Sequence, residues 1–165
     1  MRLRPELLAQ LPIPMCMHGV SPRTIMGRIW WERRKQEAYF GTGGRCAACG
    51  RQHKDGLEAH ECYNIDYKNC TMKLKEIVGI CYRCHHYIHH GFMKSLVDTG
   101  DMTEREMNDI LMRGHKILAK VGLHRPIMFA KPVTLAWSKW RLIFNGQEYK
   151  SKFKNYEAWR KRYAT

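Results

Sequence analysis

Two C-x-x-C pairs constrain this chain more than any other feature: Cys46 with Cys49 in "CAAC", and Cys81 with Cys84 in "CYRC". A C-x-x-C turn aims two sulfurs at one point, and a second such turn completes a tetrahedral thiolate cage for zinc. The competing use of a C-x-x-C pair is a redox dithiol, but neither pair sits in a thioredoxin-like βαβ pattern. The second pair runs on into "ICYRCHHYIHHG", Ile80 to Gly91, which sets two cysteines and four histidines within twelve positions. No single zinc takes six ligands, so the segment reads as two sites: sulfur for structure and imidazole for chemistry.

Charge narrows the partner. Lys and Arg number 29 against 15 Asp and Glu in 165 residues, a formal net charge of +14, and the sequence pI is about 9.7. Such an excess suits a polyanion, nucleic acid before an anionic membrane surface. No apolar run approaches the length of a membrane span. The opening "MRLRPELLAQLPIP" starts basic, but its prolines and Glu6 interrupt any signal-peptide core, so the expectation is an intracellular protein. Seven cysteines without a secretion signal argue against a disulfide framework and leave Cys16, Cys62 and Cys70 as reduced thiols.

The pattern of elements is α+β. "SPRTIMGRIWWERRKQEAYF" reads as a helix capped by Ser21, with Pro22 at the first helical position and Ile25, Ile29 and Trp30 on one stripe. "LEAHECYNI" and "TMKLKEIVGI" alternate as strands do, with the polar "DYKN" between them, and "CYRCHHYIHHGFM" begins a helix. "TEREMNDILMRGHKILAKV" is an amphipathic helix with a Thr103/Glu106 capping box and a stripe of Met107, Ile110, Leu111, Ile117 and Leu118. Asn145-Gly146 marks a hairpin, and "NYEAWRKRYA" closes the chain as a short helix. The organisation expected is a basic helical extension over 1–42, a metal-stapled core over 43–95, and a helix, hairpin and short basic helix over 96–165.

On a helix, His85 and His89 share one face and His86 and His90 form a rival pair about 100° around it. Either pair offers two imidazoles to one ion, and His60 on the preceding hairpin is the source of a third. Three protein ligands leave positions open for water and substrate. The bland alternative is that these histidines are polar surface groups or phosphate contacts.

"CAACG … LEAHE … ICYRCHHYIHHG" resembles the HNH endonuclease family, and in particular its small bacteriophage members. The likeness covers roughly residues 43 to 93. It implies a ββα-metal core, here stapled by a structural Zn²⁺ on Cys46, Cys49, Cys81 and Cys84. The histidine after the last cysteine and the one four further on are ligands in the family, which implies His85 and His89 and leaves His86 and His90 to touch DNA. The first member of the strand doublet is a ligand and the second the general base, which implies His60 and Glu61 in those roles. A shifted reading makes His60 the base and adds Glu58 to the ligands. Two departures stand out: Glu61 occupies a position usually held by histidine, and no asparagine lies between Thr71 and Cys84 to hold the base.

The resemblance further implies hydrolysis of DNA, double-stranded by expectation, to 5′-phosphate and 3′-hydroxyl ends by a divalent ion (Mg²⁺, Mn²⁺, Ni²⁺ or Zn²⁺). A phage-encoded member would work in the bacterial cytoplasm. Arg45, Arg51 and Arg83 lie near the motifs, and Arg33 and Arg34 extend the first helix, as candidate DNA contacts. "WSKWR", "YKSKFK" and "WRKRY" interleave cations with aromatics, which suits either a nucleic-acid groove or a small core ringed by lysines. The alternatives to an enzyme are a non-cleaving DNA-binding protein on a degenerate HNH core, and a protein whose terminal segments dock a protein partner.

Overall fold

The structure, a computed structural model, describes residues 3–53, 56–126 and 136–163. Two short 3-10 turns, Pro5–Ala9 and Met15–Met17, precede helix α1 (Pro22–Gly41). A hairpin of β1 (Glu58–Asp66) and β2 (Thr71–Ile80) leads directly into α2 (Tyr82–Ile88), α3 (His90–Thr99) and α4 (Glu104–Ala119). The described chain ends with β3 (Arg141–Phe144), β4 (Gln147–Lys150) and α5 (Tyr156–Tyr163). The four strands form one sheet in the order β1-β2-β3-β4, so the protein is α+β. Among the described residues no helix is long and apolar enough to cross a membrane.

Local chemistry accounts for most boundaries. Asp66 closes the β1–β2 turn by accepting from the amides of Lys68 (2.9 Å) and Asn69 (3.0 Å), and the Asn69 amide group reaches back to its other oxygen. Asn145 and Gly146 take φ of 51° and 73°, the left-handed pair that a two-residue hairpin turn requires, and β3 and β4 pair from Phe144 with Gln147 outward. Thr103 caps α4 by accepting from Glu106 N–H at 3.1 Å.

Two features depart from the periodicity. Helix α1 is broken at Gly27, whose φ of 81° and ψ of −178° lie outside helical space. The break resets the phase of 100° per residue, so Ile29 is 83% exposed while Ile25 and Trp30 pack inward. The second is a parallel pairing of β2 with β3, Thr71 opposite Arg141 through Lys73 opposite Ile143. It carries the C-terminal hairpin onto the edge of the first one.

The chain divides into two compact units that interleave in sequence. Unit 1 comprises Met1–Pro12, Arg34–His60 and Ile77–Ile127, and unit 2 comprises Ile13–Arg33, Glu61–Glu76 and Met128–Thr165. The segment 43–95 therefore contributes to both. Unit 2 surrounds an aromatic core in which Trp140, Leu142, Met72 and Cys16 are fully enclosed. Trp30 meets Phe144 edge-on at 5.8 Å, and Tyr67 meets Trp140 edge-on at 5.1 Å.

In unit 1 the first 3-10 turn packs Leu7 and Leu8 with α2 and α4. Ile110, Gly114 and Leu118 form the buried stripe of α4, flanked by half-buried Met107, Leu111 and Ile117. Gly114 is the point of closest approach: a Cβ there would lie 2.1 Å from Cδ2 of Tyr87, whose ring is wholly buried and whose hydroxyl meets His115 Nδ1 at 3.1 Å. A ring held at both ends cannot slide aside. Gly114→Ala is expected to cost about 1–3 kcal/mol through overpacking, read as a lower urea midpoint with metal content unchanged; an unaltered midpoint would show that α4 does not pack on α2 this closely.

Candidate metal centre

The cysteine cage is built from two backbone corners of unit 1. Around the first, Cys46 N–H donates to Arg51 O at 3.0 Å and Gly50 N–H to Cys46 O at 2.8 Å, with Gly50 at φ 73°. The second is the β2–α2 corner, where Cys81 is the N-cap and Cys84 lies in the first turn. The corners are tied by Ala47 N–H to Gly79 O at 2.9 Å. One sulfur from each of Cys46, Cys49, Cys81 and Cys84 falls within 4.8 Å of the others, and Cys49 Sγ lies 4.0 Å from Cys81 Sγ. Sulfurs at about 2.3 Å from a tetrahedral zinc stand about 3.8 Å apart, so the cluster fits a metal such as zinc.

Electrostatics within the cage favour a cation. Cys49 is held far below the usual thiol range by the sulfhydryls of Cys46, Cys81 and Cys84, while Cys81 and Cys84 are pushed far up, first by Cys46 and Cys49. Four adjacent sulfurs cannot all ionise unless positive charge sits among them. The Arg113 guanidinium donates to Cys49 Sγ at 3.6 Å, bringing one cation from α4 to the cage.

Hairpin and helix place the imidazoles beside one another, also in unit 1. His60 comes from β1; His85 and His89 come from α2 and its C-cap, where His89 leaves helical geometry (φ −94°, ψ 48°). One ring nitrogen from each lies within 4.8 Å of the other two. The His60 ring lies 5.3 Å from that of His85 and 5.1 Å from that of His89, with His89 Nε2 3.3 Å from His60 Nδ1. His60 is 2% exposed, and its Nε2 is buried without a hydrogen-bond partner. Burial first, then the two neighbouring imidazoles, push its pKa well below the usual histidine value, so it presents a neutral ring. Three imidazoles with ring nitrogens this close, one of them on a buried ring, make a donor set suited to a transition metal ion more than to Mg²⁺.

The carboxylate that meets this cluster is Glu58, two residues before His60 and therefore on the same strand face. Its Oε2 accepts from His85 Nδ1, which leaves Nε2 as the His85 nitrogen able to serve a metal; the bond to His85 holds Glu58 below the usual carboxylate range. This is the arrangement in which a second-layer carboxylate fixes a ligand's tautomer and orientation. Glu61 follows His60 in the strand and belongs to unit 2. Its Oε1 accepts from Arg23 N–H at 3.3 Å, and burial raises its pKa. Asn69 serves the β1–β2 turn.

The remaining candidates scatter. Arg33, Arg51, Arg83 and His90 are exposed. Arg34 is paired with Glu37 at 2.5 Å, and Arg45 donates to Gly50 O at 3.3 Å. His86 does not suit a DNA contact: it is 7% exposed, its ring lies 4.0 Å from that of Tyr82, and its Nδ1–H donates to Tyr82 O at 3.0 Å. The helical turn folds it onto the residue four earlier. Arg113 at the cage carried no local signal, since it lies 64 residues from Cys49.

Removing the Glu58 charge isolates its role. Glu58→Gln is expected to weaken metal binding at the imidazole cluster by about 10–100-fold, the usual cost of losing a second-layer partner, and to leave the thiolate cage untouched. Competition against a chromophoric chelator separates the two affinities; equal weakening of both, or of neither, would contradict the assignment. No protein-family model matches the chain, and no curated protein or solved structure is significantly similar to it.

Proposed function

We propose that this chain is a metal-dependent DNA endonuclease or nickase of the HNH type, cutting phosphodiester bonds to leave 5′-phosphate and 3′-hydroxyl ends. The observation that carries the reading is the convergence of His60, from a strand, with His85 and His89, from the helix that follows the hairpin. The cysteine cage at that helix's N-terminus supports it, as does the net charge of +14, which suits a polyanionic substrate. In this reading residues Arg45 to about Met93 form a ββα-metal core with a structural Zn²⁺.

His60, His85 and His89 would hold the catalytic ion, and burial keeps the His60 ring neutral for that purpose. A divalent cation there supplies positive charge to the phosphorane-like transition state and to the departing 3′ oxygen. Glu58 orients His85. The resemblance gives the role of base to Glu61, whose pKa burial raises. The bond of Glu61 to Arg23 N–H favours a second reading, a DNA-binding protein on the same scaffold whose carboxylate is structural.

Supercoiled plasmid separates the readings. With Mg²⁺, Mn²⁺ or Ni²⁺ the protein is expected to yield open-circle or linear DNA, EDTA to abolish the reaction, and His89→Ala to slow it by about 10²–10³-fold, the usual loss on removing one electrostatic stabiliser. DNA binding without cleavage under any of these metals would favour the second reading.

A further inference from the structure

The C-terminal hairpin continues into a segment whose burial alternates: Tyr149, Ser151 and Phe153 are half-buried, and Lys150, Lys152 and Lys154 are exposed. The inward residues are anchored. Tyr149 and Phe153 pack on the aromatic core of unit 2 with Tyr156 and Trp159 of α5. Ser151 Oγ donates to Cys16 O at 2.6 Å and accepts from Phe153 N–H at 3.0 Å. The three lysines are therefore mounted on a fixed stretch of chain. Just beyond them α5 adds exposed Arg160 and Lys161.

Acidic neighbours do not pair with these cations, although exposed Glu157 in the first turn of α5 lies three residues from both Lys154 and Arg160. Glu148, the nearest acid in sequence to Lys150, is taken by Arg141 at 3.2 Å. Among the described residues no carboxylate pairs with Lys150, Lys152, Lys154, Arg160 or Lys161. Like charges assembled on an anchored scaffold repel one another and lower the stability of the free protein. A polyanion relieves that repulsion, and releases its own counterions in doing so.

We propose that the outward row of Lys150, Lys152 and Lys154 in unit 2, with Arg160 and Lys161 following in the chain, is a docking surface for the phosphate backbone of duplex DNA, formed by residues other than the imidazole cluster. The inference rests on the endonuclease reading for the identity of its polyanion. The aromatics interleaved with these cations are committed to the core, with Tyr156 stacked on Trp159 at 5.7 Å, so the surface offers phosphate contacts without base stacking. A membrane surface fits less well. Interfacial binding needs an apolar face beside the cations, and Tyr163 is the one large exposed apolar residue between 136 and 163.

The test compares the full-length parent with a Lys150→Gln/Lys152→Gln/Lys154→Gln variant in DNA binding by fluorescence anisotropy across a salt series. A control variant removes equal charge from α4 and its C-cap (Arg105→Gln/Lys116→Gln/Lys120→Gln), and melting temperatures confirm that both are folded. Each phosphate neutralised by a bound lysine adds about 0.9 to the steepness of log K against log salt. The hairpin variant is therefore expected to show a slope shallower by about 2–3 and an affinity at least roughly tenfold weaker at low salt, while the control changes little. Equal weakening in both variants would show that net charge alone matters and would overturn the proposal. An unchanged hairpin variant, with a parent that binds and cleaves DNA, would overturn it while leaving the endonuclease reading intact. A parent that binds anionic phospholipid vesicles and not DNA would overturn both.

Discussion

The convergence of four sulfurs from two backbone corners is the constraint on which unit 1 depends. Cys46 and Cys49 sit in a tight turn far along the chain from the corner that opens α2, and the hydrogen bond from Ala47 to Gly79 is a slender tie between them. A cation shared by the four sulfurs would fasten that tie. The N-terminal segment depends on it too, since Arg4 N–H donates to Ala47 O at 3.0 Å beside the first 3-10 turn. Helix α4 reaches the same point through Arg113 and closes over α2 at Gly114.

That fastening would set the geometry of the imidazoles. Cys84 and His85 are consecutive, so whatever fixes the start of α2 also fixes His85, and His89 follows one turn later. His60 arrives from the strand that pairs with β2, and β2 ends at the cage. With a cation in each set, sulfur would hold the helix and nitrogen would use the position thus held. The division suits the chemistry of each group. A closed sulfur set has no room for a substrate, whereas a set of three imidazoles would leave coordination positions open.

Much of this was legible in the sequence because its signals are local. The Cys spacings, the Asn145-Gly146 turn and the Thr103 cap each arise from residues a few positions apart, and each appears where local chemistry puts it. What escaped are facts of tertiary approach. Nothing near Gly114 announces that a tyrosine ring will press on it, and nothing near Arg113 announces a sulfur. The parallel pairing of β2 with β3 joins strands separated, among the described residues, by three helices. The α1 break at Gly27 had a visible residue but no visible consequence, since a glycine within a helical pattern is tolerated as often as it interrupts. Periodicity also could not separate His86 from the histidines beside it; its ring turns back onto Tyr82 and out of solvent.

The most direct test of two centres on one hairpin and helix is a cobalt titration of the metal-free protein, followed by absorption spectroscopy. Cobalt bound by thiolates shows an intense ligand-to-metal charge-transfer band that cobalt bound by imidazoles lacks. The account predicts that this band saturates with the first equivalent of Co²⁺ and that a second equivalent binds without adding to it. His89→Ala should lose the second phase alone. A single equivalent carrying a mixed sulfur and nitrogen spectrum, or a charge-transfer band diminished by His89→Ala, would mean that the histidines and cysteines serve one ion, and the division of labour would be wrong.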